Sequence, residues 1–489
     1  MPERSEVPEG WATAKLGDGL LNDIQTGFAC GVHNKDGEGI PHLRPMNVSV
    51  AGDIDLSDLK YIPRSKVDSE SKLVKSGDVI FNNTNSPELV GKTAYYNSTE
   101  ERAFSNHMTR LRCNPDLLLP KYLAMYLHGL WRRGYFKRVC NNHVSQSSVS
   151  RKVLSEVSIS FPPLAEQHRI VAAIEVLFAR LDATNARLER VPGILKQFRQ
   201  AVLAAACDGR LTEDWRIDSE GRVDHQVEKG ISESILRDLF DNFELPSSWI
   251  WTNVGKTTSA IQYGTSIKAD SEDKGGVPVL RMGNIQDGKL DLSDLKYIFN
   301  DEDVSAFFVQ EGDILFNRTN SPELVGKCAI VKDKLSAVFA SYLMRIKCNF
   351  DYLSGDFLCF WINGPYGRLW ARHVRTDGVS QSNINSSKLR DLLVPLPPLP
   401  EQHEIVRRVD ALFALADRIE AEVAAAREKT ETMRQSILAQ AFSGRLVPTE
   451  VELARQEGRE YEAASALLER IRSEMKEETG RRGTQSTLI

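Results

Sequence analysis

Residues 82–92 read NNTNSPELVGK, and residues 317–327 read NRTNSPELVGK. A polar loop that returns 235 residues later with one change in eleven marks an internal duplication. Working outward, GDVIFNNTNSPELVGK (77–92) meets GDILFNRTNSPELVGK (312–327) with thirteen identities in sixteen positions. The same order then holds for LSDLKYI (56–62 and 292–298), VSQSS (144–148) against VSQSN (379–383), FPPLAEQHRIV (161–171) against LPPLPEQHEIV (396–406), and DGRL (208–211) against SGRL (443–446).

Each copy is therefore a mixed domain, a double proline and a helical segment. The boundaries read as a first domain at 1–163, a long helix at 164–208, a linker with a short amphipathic helix at 209–245, a second domain at 246–398, a second long helix at 399–443, and a partly helical tail at 444–489. Alternating or apolar runs at 78–81, 108–112 and 157–161 predict strands, and 121–130 predicts a helix, so the domains are α+β. Proline cannot donate to a ladder, so the double proline ends the last strand. Glu166 and Glu401 then fall in the first helical turn, where the helix dipole favours acids.

The helices carry a heptad seam with spacing that alternates four and three. In the first it runs through Ile170, Ile174, Leu177, Leu181, Thr184 and Leu188 to Val202; in the second through Ile405, Val409, Leu412, Ala416, Ile419 and Val423 to Ile437. Pro192-Gly193 should kink the first helix. Two arrangements fit the seam: each helix lying on its own domain, or the two helices pairing. Antiparallel pairing would relate the two globular domains by a pseudo-twofold and join them by two long coiled-coil helices. Roughly 27 residues before the kink make a helix of about 40 Å, close to the ~34–36 Å of one DNA turn.

Composition narrows the class. A chain of 489 residues exceeds one core, and 41% hydrophobic residues exclude a disordered chain. The net charge of −5 excludes a uniformly basic coat but not segregated charge, and 101–152 holds ten Arg/Lys against two acids. The seven cysteines show no metal-ligand spacing, no run is long enough for a membrane span, and MPERSEVPEG is no targeting segment. A cytoplasmic protein with reduced thiols, no metal and no membrane is the expectation.

Turn chemistry explains the Pro and Gly of the loop, with Gly91 expected at positive φ. It leaves Thr84, Asn85, Glu88 and Lys92 unexplained, and the adjoining 93–114 and 328–349 agree at only five of twenty-two positions. A ligand common to both halves is the expectation. Asn reads adenine and Arg reads guanine in paired hydrogen bonds, while Lys suits phosphate. Candidate DNA contacts in the first copy are Asn82, Asn83, Thr84, Asn85, Ser86 and Lys92, and in the second Asn317, Arg318, Thr319, Asn320, Ser321 and Lys327. The basic, aromatic runs WRRGYFKR (131–138) and GRLWARHVR (367–375) add Arg132, Arg133, Lys137, Arg138, Arg368, Arg372 and Arg375. Gln146 and Gln381 of the VSQS turns either bond bases or only cap the next segment.

No catalytic set appears. VGKT at 90–93 and 254–257 ends like a phosphate-binding loop, but Ser86 and Ile250 stand where its earlier glycine is required. His168 and His403 recur without a nucleophile or metal partners, and Cys113 and Cys348 read as packed strand thiols. The expectation is a binding protein that is not itself an enzyme.

Two mixed domains, each ending in PPL-x-EQ (162–167, 397–402) and a long helix followed by GRL, resemble the specificity subunit of Type I restriction–modification enzymes. GDILFNRTN…VGK, AVLAAACDGRLTEDW (201–215) and ASALLERI (464–471) are similar to that family's recognition strand-loop, spacer and tail. The resemblance covers nearly the whole chain. It implies double-stranded DNA as ligand, with each domain reading half of a split site and the paired helices setting the gap. It implies two methyltransferase (M) subunits that methylate adenine with S-adenosylmethionine, and motor-nuclease (R) subunits that use ATP and Mg, with no cofactor on this chain. Recognition domains within one such subunit usually differ, whereas these loops nearly coincide. A near-palindromic, gapped site follows as an expectation. Asn83 against Arg318 is the one difference inside the loop, with Arg318 either favouring guanine or holding a phosphate. A recognition subunit of a methylation-only system and a coiled-coil protein-binding scaffold are the alternatives.

Overall fold

A computed structural model describes residues 7–142, 146–218, 243–299 and 304–485. Most of the 209–245 linker, with the short helix expected there, lies outside the described residues; its first part forms a helix at Glu213–Asp218. By density of contacts the chain divides into two compact units, Met1–Leu188 with Ala425–Ile489, and Glu189–Ala424. The division cuts the long helices rather than following them, so each unit owns one α+β domain and part of each helix.

In the first unit, Leu21–Thr26, Met108–Cys113, Val79–Asn82 and Thr93–Tyr95 form an antiparallel sheet in that order. The second unit repeats it with Thr258–Tyr263, Leu343–Cys348, Ile314–Asn317 and Cys328–Ile330. The central strands are apolar on both faces, as VIF and ILF require, because sheet and helices cover them. The helix read at 121–130 is Pro120–Arg132, packed on that sheet. First and last strands pair antiparallel in each domain: Ala12–Lys15 with Ser158–Phe161, and Ile250–Asn253 with Leu393–Leu396.

The double prolines do end those last strands, and the EQ that follows has a larger role than helix polarity. Glu166 is 1% exposed and accepts from Trp11 Nε1 (2.9 Å) and the Glu450 backbone N–H (2.8 Å). Glu401, also 1% exposed, accepts from Trp249 Nε1 (2.8 Å), Thr212 Oγ1 (2.7 Å) and Arg216 Nη1 (2.6 Å). Gln167 donates to Leu117 O and Pro162 O and accepts from Leu119 N–H; Gln402 does the same with Tyr352, Pro397 and Ser354. The GRL glycines complete the joint. Gly209 (φ 81°) and Gly444 (φ 71°) are left-handed, and an added Cβ would lie 2.5 Å from Pro246 and 2.7 Å from Pro8 respectively. In each unit the segment after one long helix is thus clasped to the domain and helix start supplied by the other repeat.

Both readings of the heptad seam hold, over different stretches. Ile170 and Ile174 are fully buried in the core of the first domain, and Ile405 and Val409 in that of the second. Beyond those turns the helices pair antiparallel. In the first unit Asp182 pairs with Arg434, Thr430 donates to Asn185 Oδ1 (2.7 Å), and Arg427 reaches Leu188 O. In the second, Arg199 bridges Asp417 (2.7 Å) and Glu420 (3.0 Å). Leu181 is buried, and Leu177, Leu188, Leu412, Ile419 and Val423 are half-buried, while Thr184 and Met433 of the seam are exposed. The first helix breaks after Leu188 and resumes as Val191–Cys207, with Pro192 in its first turn.

Two predictions follow from these joints. Glu401→Ala strands the buried Trp249 and Thr212 donors and unpairs the partly buried Arg216, and should cost about 3 kcal/mol or more; an unchanged urea midpoint would contradict the clasp. Burial, with Arg132 beside it, holds His128 down at about 4, and burial holds buried His42 at about 4. The unfolded chain takes these protons near pH 6.5, so their contribution is complete above that and drains away as pH falls toward 4. Each accounts for roughly 3 kcal/mol across that window. The second unit has Asn363 and Val279 at these places, and Asn363 Oδ1 accepts from Cys328 N–H as His128 Nδ1 does from Thr93 N–H. Acid unfolding followed by pH-dependent calorimetry should therefore start in the first unit, and His128→Asn should blunt it.

Candidate nucleic-acid interface

The repeated loop and the VSQS turn, some sixty residues apart in sequence, converge in each unit. Thr84–Asn85 pairs with Ser147–Ser148, which pairs with Asn141–Asn142. Thr319–Asn320 pairs with Ser382–Asn383, which pairs with Thr376–Asp377. A small polar sheet with a projecting hairpin results. Asn141, Asn142 and Gln146 are exposed in the first; residues 376–381, Gln381 included, are exposed in the second, with Val379 fully open at the tip. Val144 and Ser145 of the first hairpin lie outside the described residues.

Much of the loop's identity is internal wiring. Gly91 (φ 95°) and Gly326 (φ 85°) are left-handed, and a Cβ there would strike Phe136 at 2.4 Å or Ala371 at 2.7 Å. Asn85 Oδ1 accepts from Ser86 N–H and Asn320 Oδ1 from Ser321 N–H, both at 2.8 Å. Asn82 and Asn317 are fully buried and donate to Pro45 O and Met282 O. Thr84, Asn85 and Ser86 stay half-exposed, as do Arg318, Thr319, Asn320 and Ser321.

Several expected contacts are displaced. Lys92 is 5% exposed, its ammonium donates to Val48 O, and burial lowers its pKa, so it faces the core rather than a phosphate. Lys327 is half-buried. Arg132 pairs with Glu431 and donates to Val50 O (2.9 Å), fastening the domain to the second long helix. Arg368 holds Val325 O and Glu323 O, bracing the loop from behind. Lys92, Arg132 and Arg368 serve the fold because each is largely desolvated and already supplied with acceptors. Asn83 is also buried at 6%, with its amide on Thr109 Oγ1 (2.9 Å) and Asn106 O.

Arg133, Lys137 and Arg138 remain exposed on the helix behind the first loop, and Arg372 behind the second. Lys137 has only a long, exposed pair with Glu88 (3.4 Å), which is weak. Arg375 donates to Pro322 O and pairs with Asp377. Sequence reasoning missed Arg151 and Lys152, exposed just past the hairpin strand, and Tyr263, which lies under Arg318. The basic cluster around 101–152 contained the first two. Nothing in the local sequence marked Tyr263, because its place is set by strand pairing. Among the described residues no group of His, Cys, Asp or Glu could hold a metal, and no helix is long and apolar enough to cross a membrane.

The profile of the Type I restriction modification DNA specificity domain matches residues 8–192 and 259–426. The chain is 29% identical to the Type I restriction enzyme EcoKI specificity subunit of Escherichia coli (strain K12), over 98% of both chains. It is 32% identical to the EcoBI specificity subunit of Escherichia coli, over 81% of both. Among solved structures it resembles a chain from work on complex assembly and conformational transition of the type I R-M system, with TM-score 0.65 and 18% identity over 90% of this chain and 99% of that one. The HsdS subunit from Thermoanaerobacter tengcongensis aligns with TM-score 0.55 and 18% identity, over 91% and 99%. These two show the fold, and the sequence matches decide against a coiled-coil scaffold of another class. The chain belongs to the specificity subunits of Type I restriction–modification systems.

Proposed function

We propose that this chain carries the address and no chemistry of its own. Each domain reads one half of a bipartite, gapped site in double-stranded DNA, and the antiparallel helices set the gap under a pseudo-twofold. Two methyltransferase subunits bound to the helices methylate adenine with S-adenosylmethionine, and motor-nuclease subunits using ATP and Mg²⁺ join them in the cytoplasm. The observation that carries the reading is the recurrence, in both units, of one polar sheet built from the repeated loop and the VSQS hairpin.

The reading surface proposed is Thr84, Asn85, Ser86 and Gln146 in the first unit, and Arg318, Thr319, Asn320, Ser321 and Gln381 in the second, with the exposed Arg133, Lys137, Arg138 and Arg372 on phosphates. Half-exposed amides and hydroxyls at a sheet edge suit base edges, while exposed cations give sequence-independent affinity. Because the loops nearly coincide, the half-sites should share most bases when each is read on its own strand. Modified-base sequencing of DNA from cells expressing this chain with its methyltransferase partner should return one gapped, adenine-methylated motif that approximates an inverted repeat. A motif with unrelated halves would contradict the near-palindrome, and no gapped motif at all would contradict the function.

A further inference from the structure

At one place the two units keep the same backbone and exchange four neighbouring side chains. Asn83 N–H donates to His107 O and Arg318 N–H to Tyr342 O, both at 3.1 Å. Val149 N–H reaches Asn83 O at 2.8 Å, and Ile384 N–H reaches Arg318 O at 2.9 Å. Strand register places Thr26 beside Thr109 in the first unit and Tyr263 beside Met344 in the second. Ser148 and Asn383 occupy matching places opposite Thr84 and Thr319. The positions therefore correspond one to one: Asn83, Thr26, Thr109 and Ser148 against Arg318, Tyr263, Met344 and Asn383.

The exchanges are coupled. In the first unit Asn83 is withdrawn, its amide spent on Thr109 Oγ1 and Asn106 O, and its Oδ1 accepting from Thr84 Oγ1 (2.8 Å). In the second, Met344 has no hydroxyl to match Thr109, and the half-exposed Arg318 lies against other groups. Its guanidinium lies 4.8 Å over the Tyr263 ring and donates to Ser341 O (3.2 Å) and Asn383 Oδ1 (3.3 Å). Tyr263 is itself fixed by Ser386, whose N–H donates to the phenol oxygen at 3.0 Å. Arg281, Arg345 and Arg375 of the same domain pair with Asp294, Asp313 and Asp377. Among the described residues Arg318 has no carboxylate, only neutral acceptors at long range, so its charge is held in place and left uncompensated. A planar fork fixed on an aromatic face beside a polar hairpin is arranged to meet paired acceptors, which guanine presents in the major groove.

We infer that this four-residue socket is the specificity switch between the half-sites: Arg318, set by Tyr263 and Asn383, selects guanine at one position of the second half-site, where the recessed Asn83 socket of the first makes no such demand. The inference rests on the proposed DNA reading and adds the position at which the halves diverge.

The test is modified-base sequencing after co-expression of full-length chains with the methyltransferase partner. Arg318→Lys keeps the charge and loses the fork; the second variant transplants the first socket through Tyr263→Thr, Arg318→Asn, Met344→Thr and Asn383→Ser. With Lys, the guanine preference at one position of one half-site should fall about tenfold or more. With the transplant, that position should take the preference of the first half-site, leaving the other half unchanged. Methylation that weakens on all sequences alike with the motif intact makes Arg318 a phosphate contact and overturns the inference. So does a change spread over both halves, or loss of binding to every sequence by both variants in intact complexes. A wild-type chain that yields no gapped motif fails the functional reading itself, and is distinguished by that control.

Discussion

A buried carboxylate at the start of each long helix holds this fold together. Glu166 and Glu401 each join three pieces of chain that are remote in sequence: the tryptophan that opens a domain, the helix that leaves it, and the segment that follows the other helix. A carboxylate desolvated to this degree is tolerable only when donors surround it, and here indole, hydroxyl, guanidinium and backbone N–H groups do. The glycine of GRL presses on the domain's first proline at the same joint, so a motif in one repeat is explained by a residue in the other. Duplication in sequence becomes reciprocity in structure.

That reciprocity is how this member of the specificity-subunit family ties its two repeats together. Each unit exposes a polar sheet edge, and its helix stretches satisfy one another, through Asp182–Arg434 and Asn185–Thr430 in the first and Arg199–Asp417 in the second. The repeated loop has two faces. Gly91, Asn82 and Lys92 look inward and preserve its shape, while Thr84 to Ser86 look toward the hairpin and solvent. Its near-identity between halves is thus partly folding and partly surface, and around Asn83 and Arg318 the two units differ in their contacts.

The duplication, the α+β domains, the helix pairing and the family were legible in the sequence because each leaves a periodic or ordered trace. The Glu–Trp clasp was visible only in outline: Pro8…Trp11 and Pro246…Trp249 recur, but no periodicity ties them to Glu166 or Glu401. The individual contacts were the least legible. WRRGYFKR looks uniformly basic, yet Arg132 is spent on Glu431 and Val50 O while Arg133 is exposed, a distinction set by which helix face meets the domain. Likewise Lys92 looked like a phosphate ligand until the carbonyl it meets in space, that of Val48, was known. Type and order are local properties, whereas solvation is not.

Hydrogen–deuterium exchange of the chain in complex with its methyltransferase subunits, with and without duplex carrying its own methylated motif, tests the central claim most directly. The account predicts protection on DNA binding at residues 83–86 with 141–148 and at 318–321 with 376–383, in both units at once. Protection confined to other surfaces, with both loop-and-hairpin sheets unchanged, would contradict it.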